Sequence, residues 1–280
     1  MQIIQKRKIF YIISLLIIVP GIISLFMQGL NLGIDFEGGS VLQYRLEESA
    51  NAADVRTILA DLELEKGIDV QQSGDEFFIR TPELTQEKTA DITEALTAKY
   101  ADAELLGAEL VGATIGSEIT RNAFLSVLIA AILILIYITI RFEFTFGIAA
   151  IIALLHDILI VLGFFSIFQW EVNSTFIAAI LTVIGYSIND TIVIFDRVRE
   201  NLRMKRKEDR ATLLNRSIMQ TLNRSVNTVL TSMLPLITLL LFGGTSIKVF
   251  VITMIIGFLS GAYSSIFVAS PVWFELKNKA

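Results

Sequence analysis

An all-α membrane bundle of six helices carrying one inserted α+β domain is the fold this sequence predicts, and three observations predict it. The chain of 280 residues is 54% hydrophobic, with a mean hydropathy of +0.65, too apolar for an ordinary water-soluble domain. Its apolar residues gather in six runs that approach or exceed the roughly 20 residues a helix needs to cross a bilayer. Between the first and second runs lies a polar block of about 90 residues, enough to fold around a core of its own.

The runs are Ile9–Met27, Ala123–Ile140, Phe144–Phe168, Ser174–Phe195, Val226–Phe242 and Val249–Phe274. The fifth is the shortest and contains Pro235. The first follows Lys6, Arg7 and Lys8; it is longer than the apolar part of a secretory signal and no A-x-A-like cleavage site follows it, so an uncleaved anchor is expected. The division that results is 1–29 for the tail and first helix, 30–120 for the inserted domain, and 121–280 for five helices with a basic connection near 196–224.

Within the inserted block, Ser40–Leu46 alternates like a strand, and Asn51 stands where an N-cap would precede Val55, Ile58, Leu59 and Leu62 at helical spacing. Ile68–Gln72 and Phe77–Thr81 flank Ser73-Gly74-Asp75-Glu76, a hairpin signal. Thr85 caps a second helix containing Ile92 and Leu96 and ending near Tyr100, and Glu104–Val111 forms the last strand. The order βαββαβ is that of a ferredoxin-like domain, one sheet with both helices on one face. The acids of this block are scattered along helix faces and read as solvated surface.

Charge sets the expected topology. Residues 29–120 hold 19 acidic and 6 basic side chains, whereas 196–224 hold 9 basic and 4 acidic ones. The positive-inside rule then puts the N-terminus, the 196–224 connection and the C-terminus (Lys277, Lys279) in the cytoplasm and the acidic domain outside. Val198–Leu222 is basic and periodic, with Leu202, Leu213, Leu214, Ile218 and Leu222. It suits a helix lying along anionic headgroups and equally a docking surface. With no cysteine, disulfides and thiolate metal sites are excluded.

The chemistry lies in the polar residues of the apolar runs. Asp190 sits two-thirds of the way along the fourth, where a carboxylate costs roughly 2.5–3.5 kcal/mol to insert, so it marks a functional site. Thr182, Tyr186 and Asn189 fall within an arc of about 60°, with Gly185 on the same side and Asp190 about 40° beyond Tyr186. Such a stripe is expected to face other helices rather than lipid. Arg224, at the start of the fifth run, is the nearest cation for an intramembrane carboxylate, or else snorkels to the headgroups. His156 and Asp157, mid-way along the third run, are either a buried pair that fixes helix register or part of a proton path. Asp196 and Arg197 are interfacial and read as determinants of topology and partner. A proton driven through 100 mV releases about 2.3 kcal/mol, comparable to a modest conformational step. Gly257 and Gly261 form a GxxxG pair, while Pro20-Gly21 and Pro235 are kink sites. Gly33 to Gly39, "GIDFEGG", suggests a close-packed backbone path; it lacks the lysine and spacing of a phosphate loop.

"GIDFEGG" and "GYSINDTIVIFDRVREN" (Gly185–Asn201), with "QTLNRS" (Gln220–Ser225) and "LFGG" (Leu241–Gly244), closely resemble the signatures of the SecF family of bacterial protein export. The resemblance spans the whole chain. It implies a member of the resistance-nodulation-division superfamily in the bacterial cytoplasmic membrane, paired with SecD in a twelve-span unit. It further implies association with the SecYEG channel and the SecA motor, and proton flow that moves external domains to draw preproteins outward. By the same resemblance Asp190 matches the proton-carrying acid, Arg224 its basic partner, and Gly33, Asp35, Phe36, Gly38 and Gly39 the external motif. Two alternatives remain at this point: a half-size proton-driven exporter of lipids or small amphiphiles, and a passive scaffold of the channel. No nucleophile–base–orienter set or metal-ligand cluster can be assembled, so neither an enzyme nor a cofactor is expected. The basic connection lies against the bilayer without aromatic platforms, which argues against nucleic acid.

Overall fold

The computed structural model describes residues 2–47, 49–62, 68–204, 208–244 and 247–279. In chain order the elements are α1 (Arg7–Gln28), β1 (Asn31–Leu32), α2 (Ile34–Glu37), β2 (Gly39–Arg45), α3 (Ala52–Asp61), β3 (Asp69–Ser73), β4 (Glu76–Thr81), α4 (Gln86–Lys99), β5 (Glu104–Val111), α5 (Ala113–Arg141), α6 (Phe144–Phe168), β6 (Glu171–Val172), α7 (Ser174–Arg203), α8 (Arg210–Phe242), α9 (Lys248–Ser264) and α10 (Ser270–Lys279). They form two compact units, Met1–Asn31 with Ala123–Ala280, and Leu32–Asn122. Six helical stretches are long and apolar enough to cross a membrane: α1, α5, α6, α7, α8 and the run Lys248–Asn278.

In the helical unit, close packing follows the small residues. A Cβ on Gly21 of α1 would lie 2.7 Å from the Cα of Gly163 on α6, so these two backbones touch. One turn further, the Ser24 and Ser166 hydroxyls meet at 2.7 Å and Gln28 Nε2 donates to the Ser166 carbonyl at 2.7 Å. The expected GxxxG pair does the same for α9 and α7: a Cβ on Gly257 would fall 2.3 Å from Val183, and one on Gly261 2.8 Å from Ser187. Phe146 of α6 bridges Phe195 of α7 and Trp273 of α10, with ring centroids 4.7 and 4.6 Å apart.

Both termini and the α7–α8 connection share one end of this unit, as six crossings require. Arg7 pairs with Glu275 at 2.8 Å, the Ile4 amide donates to Asn215 Oδ1 at 3.0 Å, and Arg210 donates to the Lys277 carbonyl at 2.7 Å. The segment Val198–Leu222, which suits either a headgroup helix or a docking surface, is not a single helix. Its first part continues α7 to Arg203, residues 205–207 lie outside the described residues, and α8 starts at Arg210, where Asp209 Oδ2 accepts from the Thr212 amide at 3.1 Å. The periodic side chains serve intrachain packing: Val198, Leu213, Leu214 and Ile218 are buried, and Asn201 donates to Ser217 and Gln220 at 2.8 and 2.9 Å. The fifth span is therefore the upper part of one helix that runs unbroken through Pro235. The sixth is interrupted by a π turn at Ser265–Ala269 between α9 and α10.

In the second unit the strands form one antiparallel sheet in the order β3-β4-β2-β5, with Tyr44 opposite Phe77 and a register shift at Gln43/Tyr44 against β5. Leu42, Tyr44, Val70, Phe77 and Ile79 join Val55 and Leu59 of α3 and Ile92 and Leu96 of α4 in one buried cluster. Local chemistry starts both helices: Asn51 Oδ1 accepts from the Asp54 amide at 2.9 Å, and Thr85 Oγ1 from the Lys88 amide at 3.4 Å. Gly74, at φ +67°, turns the hairpin.

Candidate functional site

Helix α7 is started by Asn173, whose side chain accepts from the Phe176 amide at 3.2 Å. It buries Val183, Ile184, Ser187, Ile188, Thr191 and Ile194 against neighbouring helices. Asp190 lies at the edge of that face, half-buried. Ser225 of α8 donates its hydroxyl to Asp190 Oδ1 at 2.6 Å. Asp190 Oδ2 is buried and has no hydrogen-bond partner among the described residues. A cavity of about 20 Å³, room for about one water molecule, is lined by Tyr186, Asn189, Asp190, Arg224, Ser225 and Ala262, among others. The Tyr186 ring stacks on Phe258 of α9 with centroids 3.7 Å apart, closing one side. The structure thus brings Asp190, Asn189 and Arg224 to one place.

The polar stripe predicted on α7 is present, but its outer part is not covered by the described residues. Thr182, Gly185 and Asn189 are exposed, as are Asn223, Arg224, Asn227 and Thr231 along α8. Of this stripe, Tyr186 and Asp190 meet neighbouring helices among the described residues, and the rest of the face points out of the six-helix set. The result is a polar band on the surface of a membrane helix pair, with a carboxyl group at its inner edge.

His156 and Asp157 form a separate cluster. Asp157 is 1% exposed and His156 6%. The Asp157 carboxylate is surrounded by donors: Ser260 at 2.6 Å on Oδ1, Ser187 at 2.7 Å and Ser264 at 2.8 Å on Oδ2, with His156 Nδ1 3.1 Å from Oδ1. His156 Nε2 lies 3.0 Å from Ser14 Oγ of α1, which donates at 3.3 Å to Tyr263; Tyr263 in turn donates to the Phe10 carbonyl at 2.8 Å. The cluster therefore ties α1, α6, α7 and α9 together. The π turn follows directly, with Ser265 Oγ 2.8 Å from Thr191 Oγ1 and Ser270 donating to the Ser265 carbonyl at 3.2 Å. Sequence reasoning missed Ser14, Ser187, Ser260, Ser264 and Ser225. The signal available was the i, i+4 spacing of Ser260 and Ser264 around Gly261, and Ser187 one turn before Asp190.

The remaining candidates lie elsewhere. Asp196 pairs with Arg141 at the end of α5 at 3.5 Å, and Arg197 pairs with Glu200 on the same helix. In the other unit, Gly33 precedes α2, which carries Asp35 and Phe36, and Gly38 and Gly39 follow at φ +79° and +134°. A Cβ on Gly39 would lie 2.6 Å from the Thr81 carbonyl oxygen, and one on Gly38 3.0 Å from the Ala113 Cα. Gly116 of α5 meets the Phe36 carbonyl in the same way, at 2.8 Å. The motif is a structural joint between β2 and the start of α5, held by backbone contacts only glycine permits.

The chain matches the family model described as protein export membrane protein SecD/SecF, C-terminal, over residues 91–279, and the SecD/SecF GG motif over residues 23–50. It is 41% identical to the protein translocase subunit SecF of Sebaldella termitidis, across 99% of this chain and 92% of that protein. It is also 41% identical to the protein translocase subunit SecDF of Bacillus subtilis, across 98% of this chain but 38% of that longer protein. Among solved structures, SecDF from Thermus thermophilus, described as a translocon-associated membrane protein, superposes with a TM-score of 0.93 at 37% identity, over 98% of this chain and 38% of that one. A SecDF structure in a super-membrane-facing form gives 0.74 at 37% identity, over 99% of this chain and 39% of that one.

Proposed function

The chain belongs to the SecF family of protein translocase subunits, and from that premise we propose that it couples proton flow to preprotein export through Asp190. It is a multi-pass membrane protein with a transport role. The single observation that carries the coupling is the Asp190 carboxyl: one oxygen held by Ser225, the other buried without a partner, beside Arg224 and at the edge of an uncovered polar band. A carboxyl so placed can take up and release a proton while α7 and α8 adjust around it. Arg224 supplies the neighbouring positive charge, and Asn189 the polar route along the band.

The band calls for a second membrane subunit, and SecD is that subunit on this reading, since relatives such as the Bacillus subtilis protein are SecDF in one chain. The basic residues at the end shared by the termini favour the cytoplasm for that end and the outer side for residues 30–120, whose βαββαβ order suits a ferredoxin-like domain. The SecYEG channel, the SecA motor and the preprotein are the further partners, in a bacterial cytoplasmic membrane. The test is export into vesicles containing SecD with and without a proton gradient. Asp190→Asn should abolish the stimulation given by the gradient. Unchanged stimulation would leave only a passive scaffold.

A further inference from the structure

Asp157 carries more than its burial explains. A carboxylate taken out of water needs every lone pair satisfied, and here three serine hydroxyls and the His156 ring converge on it from α6, α7 and α9. The donor from α7, Ser187, is three residues before Asp190, so one helical turn joins the two acids on a rigid element. On α9, Ser260 and Ser264 bracket Ala262, which lines the Asp190 cavity. Gly261 between them rests directly on Ser187. The walls of the Asp190 cavity on α7 and α9 are thus the same turns that Asp157 holds from behind.

We propose that Asp157 is a positioning residue for Asp190: through Ser187, Ser260 and Ser264 it fixes the rotation of α7 and the seat of α9, and so sets the distance from the Asp190 carboxyl to Ser225 and Arg224. The proposal rests on the proton-coupling reading above and extends it to a residue that never touches the cavity. His156 and its Ser14–Tyr263 chain brace the hub against α1. The titratable or charged groups that face Asp190 among the described residues are Arg224 from α8 and Tyr186 from α7 itself; α9 contributes none. A change of α7 rotation would therefore be read by Asp190 as a change in its distance to Arg224 and Ser225.

The test uses the full chain with SecD in lipid nanodiscs, following the infrared carboxyl band assigned to Asp190 by its loss in Asp190→Asn. Asp157→Asn keeps the side-chain size but replaces one acceptor oxygen by an amide donor; Ser187→Ala removes a single bond and leaves the hub otherwise intact. In both variants the midpoint of the Asp190 titration should move by about 0.5 unit or more, and in sealed vesicles containing SecD the export stimulated by a proton gradient should fall by about fivefold. An unmoved midpoint in the two variants overturns the proposal even if export falls, because Asp157 then only holds the bundle together. Failure of the coupling reading looks different: Asp190→Asn would leave gradient-driven export intact, while in chains that keep Asp190 its band would still report whether Asp157 positions it. An Asp190 band that does not titrate in the native chain would overturn both.

Discussion

The hydroxyl of Tyr44 is buried in the core of the Leu32–Asn122 unit and meets Thr93 Oγ1 at 2.7 Å. Burial raises its ionisation above that of a free tyrosine, with the Thr93 bond acting in the opposite direction. A phenol that ionises near 10 in the unfolded chain and higher in the fold stabilises the fold fully below about pH 10. That contribution is lost as pH rises through the folded value. Protection factors of the β2 amides in the full chain, which remove the base-catalysed rise of intrinsic exchange, should therefore fall above pH 10, and Tyr44→Phe should weaken that fall while costing about 1 kcal/mol at neutral pH through the lost bond. Protection factors that stay constant between pH 9 and 11 would show that this phenol is not a keystone of the sheet. Among single residues, Asp190 was legible in the sequence because a charge against an apolar run stands out by its insertion cost. The serines around Asp157 were not, because a hydroxyl can bond to its own helix and sits in an apolar run at little cost. Which of them turn toward a carboxylate depends on helices far apart in sequence, as with Ser14 and His156.

At the scale of elements, the contact of α9 on α7 depends on the absence of two side chains. A Cβ at Gly261 would lie 2.8 Å from Ser187 Cβ, and neither backbone can yield without moving a helix that carries part of the Asp157 hub. Gly261→Val should cost about 1–3 kcal/mol, the usual range for overpacking, read as earlier unfolding in mixed detergent titrations. It should also lose cross-linking between cysteines placed at the α7–α9 seam; full retention of both would mean that the seam has slack not evident here. The GxxxG spacing announced this contact. The continuity of α8 was hidden: the periodicity of Leu213, Leu214, Ile218 and Leu222 announced a helix, but the basic, polar residues between Arg210 and Arg224 set it apart from the fifth apolar run. They are helical because Leu213, Leu214, Ser217, Ile218 and Thr221 line a buried stripe at helical spacing, and Asp209 caps the start. Pro235, read as a kink site, lies inside α8, which is helical on both sides of it. The π turn at Ser265–Ala269 carries no local sequence signature; it accompanies the Thr191–Ser265 and Ser270–Ser265 bonds, which are tertiary facts.

On the scale of the whole molecule, the helical unit presents two kinds of outer surface. Leucine, isoleucine and phenylalanine cover the outside of α1 and α5, such as Leu16, Phe26, Phe124 and Leu133, as lipid contact demands. The α7–α8 face instead exposes Thr182, Asn189, Arg224, Asn227 and Thr231 on two helices long and apolar enough to cross a membrane. Polar groups against hydrocarbon destabilise the lone chain, and interhelical polar contacts with another subunit recover about 0.6 kcal/mol each. The two effects separate on substitution. Thr182→Leu with Asn189→Leu makes the band apolar, so the isolated chain should resist thermal unfolding in lipid as well as the native chain or better. The same pair should weaken association with SecD in mild detergent by about 1 kcal/mol, or about fivefold, and reduce gradient-driven export in step. A chain that loses stability alone while holding SecD as tightly as before would show that the band is sheltered by its own fold, and the pairing with SecD through this face would have to be abandoned.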